Sequence, residues 1–117
     1  MGRARLLALI GAVVLVACKQ TTLEDHPCPP GGTTLTYDNF GKAFIDTNCQ
    51  RCHGGSTGYR DGAPSGYDFA TLDAVRHWKS RIFVRAAADN TTMPPGPDDP
   101  PLSEREKLAD WLGCGAP

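Results

Sequence analysis

Cys49-Gln50-Arg51-Cys52-His53 is the stretch that decides how this chain folds and what it can hold. Cys-x-x-Cys-His is the spacing at which a c-type haem is attached. Two thiols add across the haem vinyl groups as thioethers, and the adjacent imidazole reaches the iron from one face. The spacing must be compact, because both sulfurs meet the edge of one macrocycle while the imidazole meets its centre. Two other readings use the same residues: a redox Cys-x-x-Cys pair and half of a zinc site. Zinc needs more ligands than Cys49, Cys52 and His53 readily supply, since adjacent residues rarely chelate one ion together.

Working outward, the residues before the motif read as a helix from Tyr37 to Asn48. Tyr37, Phe40, Gly41, Phe44 and Ile45 fall at i, i+3, i+4, i+7 and i+8, one helical face. Thr36 is placed to cap its start, and Asp38 suits the positive end of the helix dipole. Gly41 costs about 1 kcal/mol against alanine by propensity, so its place on the apolar face predicts close approach of another helix. After the motif, residues 54–66 form a glycine-rich loop expected to wrap one side of the haem. Residues 71–88 read as helical and divisible at Ser80, with Leu72 and Val75 marking one piece and Ile82, Phe83 and Ala86 the other. Residues 90–101 form a proline-rich loop. A last helix is predicted from Ser103, with Ser103 and Glu106 as a capping box, Leu108, Trp111 and Leu112 on one face, and Gly113 as its stop. Sustained apolar–polar alternation is missing throughout, so the expected fold class is all-α.

Haem iron has a second axial position that His53 cannot fill. Without its leader the chain has a single methionine, Met93, in Thr91-Thr92-Met93-Pro94-Pro95. A thioether raises the reduction potential, and the prolines that follow stiffen the loop that would hold the sulfur. The plainer role for a lone methionine is core filler, which its proline-rich setting argues against. His26 and His77 are rival ligands. His26 falls in a stretch read as solvated, and His77 stands among Arg76, Trp78 and Lys79, as a surface or propionate-edge residue would.

With these residues in view, the chain over about 35–113 resembles the class I cytochrome c domain in its short bacterial form. An amphipathic helix runs into Cys49-Gln50-Arg51-Cys52-His53, a Met93-Pro94-Pro95 loop follows, and a closing helix carries Trp111. In that family the first and last helices cross near the haem, with a glycine and aromatics at the crossing, and Gly41, Phe44 and Trp111 match those roles. The resemblance implies a small helical domain around one haem c, with Cys49, Cys52, His53 and Met93 binding it and His53 and Met93 as iron ligands. Only 40 residues separate His53 from Met93, so some loops of the family are shortened here.

At the other end, Arg3 and Arg5 precede an apolar run, Leu6 to Val16, interrupted by Gly11. This is the layout of a secretory signal peptide and too short for a permanent membrane helix. Its close, Leu15-Val16-Ala17-Cys18, resembles a bacterial lipobox, which implies a leader over 1–17 and a lipid on Cys18. An ordinary signal peptide with a chance cysteine is the alternative. Residues 18–34, with Pro27, Pro29, Pro30, Gly31 and Gly32, read as a lipid-anchored tether, and 35–117 as the domain. Lys19 after the lipidated cysteine leans towards the outer membrane rather than inner-membrane retention. The odd count of five cysteines then resolves: Cys49 and Cys52 go to haem, Cys18 to lipid, and Cys28 and Cys114 remain. Export to an oxidising compartment permits these two to pair, closing a loop of roughly 87 residues worth at most about 4–5 kcal/mol; the alternative leaves one or both free.

Without Arg3 and Arg5, the 12 basic side chains fall to 10 against 13 acidic ones, a balance of −3. This balance, with no basic run, speaks against a nucleic-acid partner. The expected function is electron transfer by a monomer at the periplasmic face of a bacterial membrane, with redox proteins of the periplasm or membrane as partners. Two filled axial positions leave no place for a substrate, and there is no nucleophile motif or phosphate loop, so an enzyme is not expected. The alternative is a haem-based gas-binding or sensor lipoprotein in which Met93 does not ligate. Arg76, Lys79, Arg81 and Arg85 are candidates for neutralising propionates or marking a docking surface, or simply form a solvated helix face.

Overall fold

In the computed structural model, residues 19–55 and 60–117 are described. The signal peptide over 1–17 and the lipid site at Cys18 lie outside the described residues. The chain is all-α, and among the described residues there is no strand.

The first helical stretch opens on the expected cap. The Thr36 hydroxyl accepts from the Asn39 amide at 3.2 Å while the Asn39 side chain accepts from the Thr36 amide at 2.7 Å. One wide π-type turn, Tyr37–Gly41, then leads into α1, Lys42–Asn48. Phe40, Phe44 and Ile45 face the core as the periodicity requires. The single-turn helix α2, Gln50–His53, carries the Cys-x-x-Cys-His motif and begins directly after Cys49.

Residues 72–86 form one helix, α3 (Leu72–Ala86), not two. The Thr71 hydroxyl caps its start by accepting from the Ala74 amide at 3.2 Å. Ser80 is exposed in mid-helix; with Val75, Ile82, Phe83 and Ala86 all buried, one continuous face stays satisfied and no break is needed.

The helix α4, Leu102–Gly113, also departs from expectation at both ends. The Ser103–Glu106 capping box does not form. Pro101, with extended backbone geometry, precedes the first helical residue, so the helix starts one residue early and Ser103 falls inside its first turn. At the far end the stop is Gly115, not Gly113. Gly115 takes φ +89°, its amide donates to the Leu112 carbonyl, and the Ala116 amide donates to the Trp111 carbonyl. That pair of bonds is a Schellman motif, which satisfies carbonyls the helix would leave orphaned. Gly113 serves packing instead: a Cβ there would stand 2.6 Å from the His26 carbonyl oxygen.

The core lies where α1 and α3 meet α4, with Val75, Ile45, Phe83, Leu108, Trp111 and Leu112 its largest fully buried side chains. Trp111 of α4 rests on Gly41 so closely that a Cβ on Gly41 would lie 2.2–2.7 Å from its ring atoms. The close approach expected at Gly41 is therefore made by an indole. The Pro117 carbonyl locks this crossing, accepting from the Trp111 indole at 3.1 Å and from the Tyr37 amide at 2.7 Å.

The stretch read as a tether does not hang free where it is described. Residues 20–28 run as a strap along α3 and α4. Gln20 donates to the Val84 carbonyl, and buried Asn90 donates to the Thr21 carbonyl at 2.9 Å. Leu23 packs against the core, and His26 meets Asp110 at 2.7 Å and lies beside Phe83. Cys28 is joined to Cys114 by a disulfide with Cα atoms 4.5 Å apart. Proline and glycine mark the absence of regular structure, and here that irregular chain is held by side-chain and backbone hydrogen bonds that composition alone does not reveal.

Candidate functional site

Cys49, Cys52, His53 and Met93 open onto one cavity of about 660 Å³, walled by α1, α2, α3 and the two loops at 60–69 and 93–98. That volume suits a cofactor-sized ligand, for which pockets of about 300–1,000 Å³ are usual. Apolar walls come from Phe44, Phe69, Ile82 and Ala86. Cys28 and Cys114 belong to the strap and the end of α4, and do not line it. His26 is turned to Asp110, and His77 is exposed against Trp78; neither rival ligand reaches the cavity wall.

His53 is the best-oriented of the four. Its Nδ1 stands 2.5 Å from the Tyr67 carbonyl oxygen. A carbonyl only accepts, so Nδ1 carries a proton and Nε2 is the nitrogen left to bind a metal. The ring stacks on Phe69 at 4.5 Å and 20°, and the Phe69 amide donates to the His53 carbonyl at 2.7 Å. One short segment, Tyr67 to Phe69, thus fixes both the tilt and the tautomer of the imidazole.

That segment is held in turn by residues that carry no motif. Arg60 donates to the carbonyls of Ala63 at 3.2 Å and Pro64 at 2.9 Å and pairs with Asp68 at 2.5 Å, closing the loop on itself. The Tyr67 ring lies against Trp78 at 4.5 Å, with the Arg81 guanidinium 6.0 Å from its centre. Gln50 donates to the Phe69 carbonyl at 2.7 Å. None of these has a local sequence signature, since each acts through a fold contact. The one hint in the sequence is an aromatic residue, Tyr67, following an otherwise glycine-rich loop.

Met93 sits at the rim, 36 % exposed. Its amide donates to the Arg85 carbonyl at 2.8 Å, pinning the loop to the end of α3. Arg105 ties the far side of that loop by donating to the Pro100 carbonyl at 3.1 Å and to the Ala88 carbonyl. The four cations of α3 divide. Arg81 and Arg85 line the cavity, with Arg51 of α2, whereas Arg76 is engaged with the Ala116 carbonyl at 3.0 Å and with Asp73. Lys79 is not among the lining residues.

The chemistry of the donors separates the readings of the motif. Cys49 and Cys52 are both free. Burial, and secondarily the neighbouring Cys52 thiol, push the Cys49 thiol up to about 12. A redox Cys-x-x-Cys pair relies on a readily ionised thiol, which Cys49 does not supply. Among the described residues no group of three or more His, Cys, Asp and Glu side chains is arranged to hold a metal ion. A haem needs only two thiols at its edge, one nitrogen below the iron and an apolar slot. The residues present fit that group.

Compared with known protein families, characterised proteins and solved structures, the chain matches none.

Proposed function

We propose that this chain is an electron-transfer c-type cytochrome, carrying one covalent haem with His53 and Met93 as axial ligands. The observation that supports this most is the meeting of Cys49, Cys52, His53 and Met93 on one cavity, with His53 Nδ1 committed to the Tyr67 carbonyl. A haem bound there supplies a one-electron couple, Fe(II)/Fe(III), whose potential a thioether ligand raises. Cys49 and Cys52 would hold the haem through thioether bonds, formed by adding each thiol across a vinyl group with no oxidant required. His53, with Nδ1 on the Tyr67 carbonyl and its ring on Phe69, and Met93, its loop braced at the Arg85 carbonyl, would bind the iron. Phe44, Phe69 and Ile82 would line the apolar slot, and Arg51, Arg81 and Arg85 would offset the negative propionates.

The setting is part of the proposal. Cys18 carries lipid and holds a monomeric domain at the periplasmic face of a bacterial membrane, with the outer membrane favoured by Lys19, and partners are redox proteins of the periplasm or membrane. Among the described residues no helix is long and apolar enough to cross a membrane.

The exposure of Met93 favours one second reading, a gas-binding haem lipoprotein with an open distal position. The optical spectra of protein made with haem-maturation machinery separate the two. Electron transfer with His/Met ligation predicts low-spin ferric haem with a near-infrared thioether-to-iron band. Met93→Ala should abolish that band, shift ferric haem towards high spin and lower the potential. A wild-type high-spin spectrum would favour the open site, and an unchanged band in Met93→Ala would remove Met93 from the iron.

A further inference from the structure

We infer that Arg60 tunes the ligand His53 from outside the cavity, by drawing charge from the Tyr67 carbonyl that holds the His53 ring. This rests on the proposed ligation of iron by His53 and adds what sets the strength of that ligand.

The Tyr67 carbonyl oxygen meets two donors. His53 Nδ1 stands 2.5 Å from it and Arg60 Nη2 stands 3.5 Å from it. A carbonyl oxygen has two lone pairs, so it has room for both. The second distance is too long for a strong hydrogen bond, and what Arg60 supplies there is a nearby positive charge. That charge is held in place. Arg60 Nε donates to the Ala63 carbonyl at 3.2 Å, Nη2 to the Pro64 carbonyl at 2.9 Å, and Nη1 to Asp68 at 2.5 Å. Asp68 offsets the charge only in part. Its side chain is 39% exposed against 20% for Arg60, so water screens the counter-ion more than the cation. Arg60 does not line the cavity. Its path to the iron runs through Tyr67 and His53, which makes it a positioning residue and not one that touches the haem.

A strong acceptor on Nδ1–H pushes electron density into the imidazole and makes Nε2 a better donor. A better donor favours Fe(III) and lowers the reduction potential. A cation beside the acceptor oxygen draws density the other way, so Arg60 weakens the His53 hydrogen bond and raises the potential. Bracing alone has the opposite sign. If Arg60 only closed the loop, its loss would loosen the bond from Nδ1–H and the potential would rise.

Holoprotein made with haem-maturation machinery tests this through two variants of opposite sign. Arg60→Met keeps a long side chain and removes its charge. The Fe(II)/Fe(III) ratio at a fixed ambient potential should fall about twofold to fivefold, a fraction of the worth of one hydrogen bond. The His53 Nδ1–H proton of the ferrous protein should move downfield in NMR as its bond strengthens. Asp68→Asn keeps an acceptor for Arg60 and removes the counter-charge, so the ratio should rise and the proton should move upfield. A raised or unchanged ratio in Arg60→Met overturns the inference. So does any change, in either variant, that leaves the Nδ1–H proton unmoved, since that is only the altered net charge. If Arg60→Met yields no holoprotein, Asp68→Asn decides alone, and a lowered or unchanged ratio overturns the inference. Wild-type spectra without histidine ligation overturn the proposed ligand set and this inference with it. Low-spin wild-type protein with the wrong sign in the variants overturns the role of Arg60 only.

Discussion

At the scale of single residues, the site is governed by what each donor is prevented from doing. His53 cannot place its proton on Nε2 while Nδ1 donates to the Tyr67 carbonyl. Cys49 cannot readily ionise, because burial disfavours its thiolate. The second constraint has a pH consequence for the chain before attachment. The folded-state value, about 12, lies above the ordinary 9.0, so the folded chain holds this proton more tightly than the unfolded chain. The stability drawn from the protonated thiol is fully present below pH 9.0 and is lost as the pH rises towards 12. In the native haem-free chain, alkylation of Cys49 at pH 9.0 should therefore lag well behind alkylation of the same residue in denaturant. Equal rates would contradict the burial. Once the sulfur is a thioether there is nothing left to titrate, and this part of the alkaline instability should disappear from the holoprotein.

At the scale of elements, the contact between Gly41 and Trp111 carries the crossing of the first helical stretch with α4. A methyl group at position 41 would collide with a fully buried, rigid indole. Gly41→Ala gains about 1 kcal/mol of helix propensity but incurs overpacking of about 1–3 kcal/mol, so a net loss is expected in denaturant unfolding of the holoprotein. A more stable variant would mean that the crossing yields easily. This contact is legible in the sequence because a glycine on an apolar helical face forgoes both propensity and burial, a double loss that a close approach offsets. The Thr36 cap is legible because a cap is a local interaction. The Ser103–Glu106 box has the right letters and the wrong frame, since Pro101 starts the helix before Ser103 can cap it. Gly113 looks like a stop because it follows the last apolar residues, yet the turn uses Gly115 and the space at Gly113 belongs to His26. Arg60 and Phe69 are not legible at all, and Tyr67 only as an aromatic residue after a glycine-rich loop. Their work is to bring a carbonyl and a ring to His53 across a loop, and no period or local motif records such a contact.

At the scale of the whole molecule, the disulfide between Cys28 and Cys114 joins the strap to the end of α4 and makes a ring of nearly the entire domain. In the chain-entropy account such a ring stabilises chiefly by restricting the unfolded chain, with a ceiling of about 4–5 kcal/mol. The Cys28→Ser, Cys114→Ser double variant should keep its haem and lose stability by less than that ceiling in thermal unfolding. Two free thiols in unreduced, denatured wild-type protein would contradict the bridge. Because the strap is also held by Gln20, Asn90 and Asp110, its docking should survive the loss of the bridge under native conditions.

The proposed function depends on haem being bonded to Cys49 and Cys52. Acid–acetone extraction of protein produced with haem-maturation machinery tests this most directly. The prediction is that haem stays with the polypeptide, and that Cys49→Ala reduces or abolishes stable holoprotein. Release of all the haem into the acetone from wild-type protein would contradict the covalent attachment on which the ligand set and the proposed function rest.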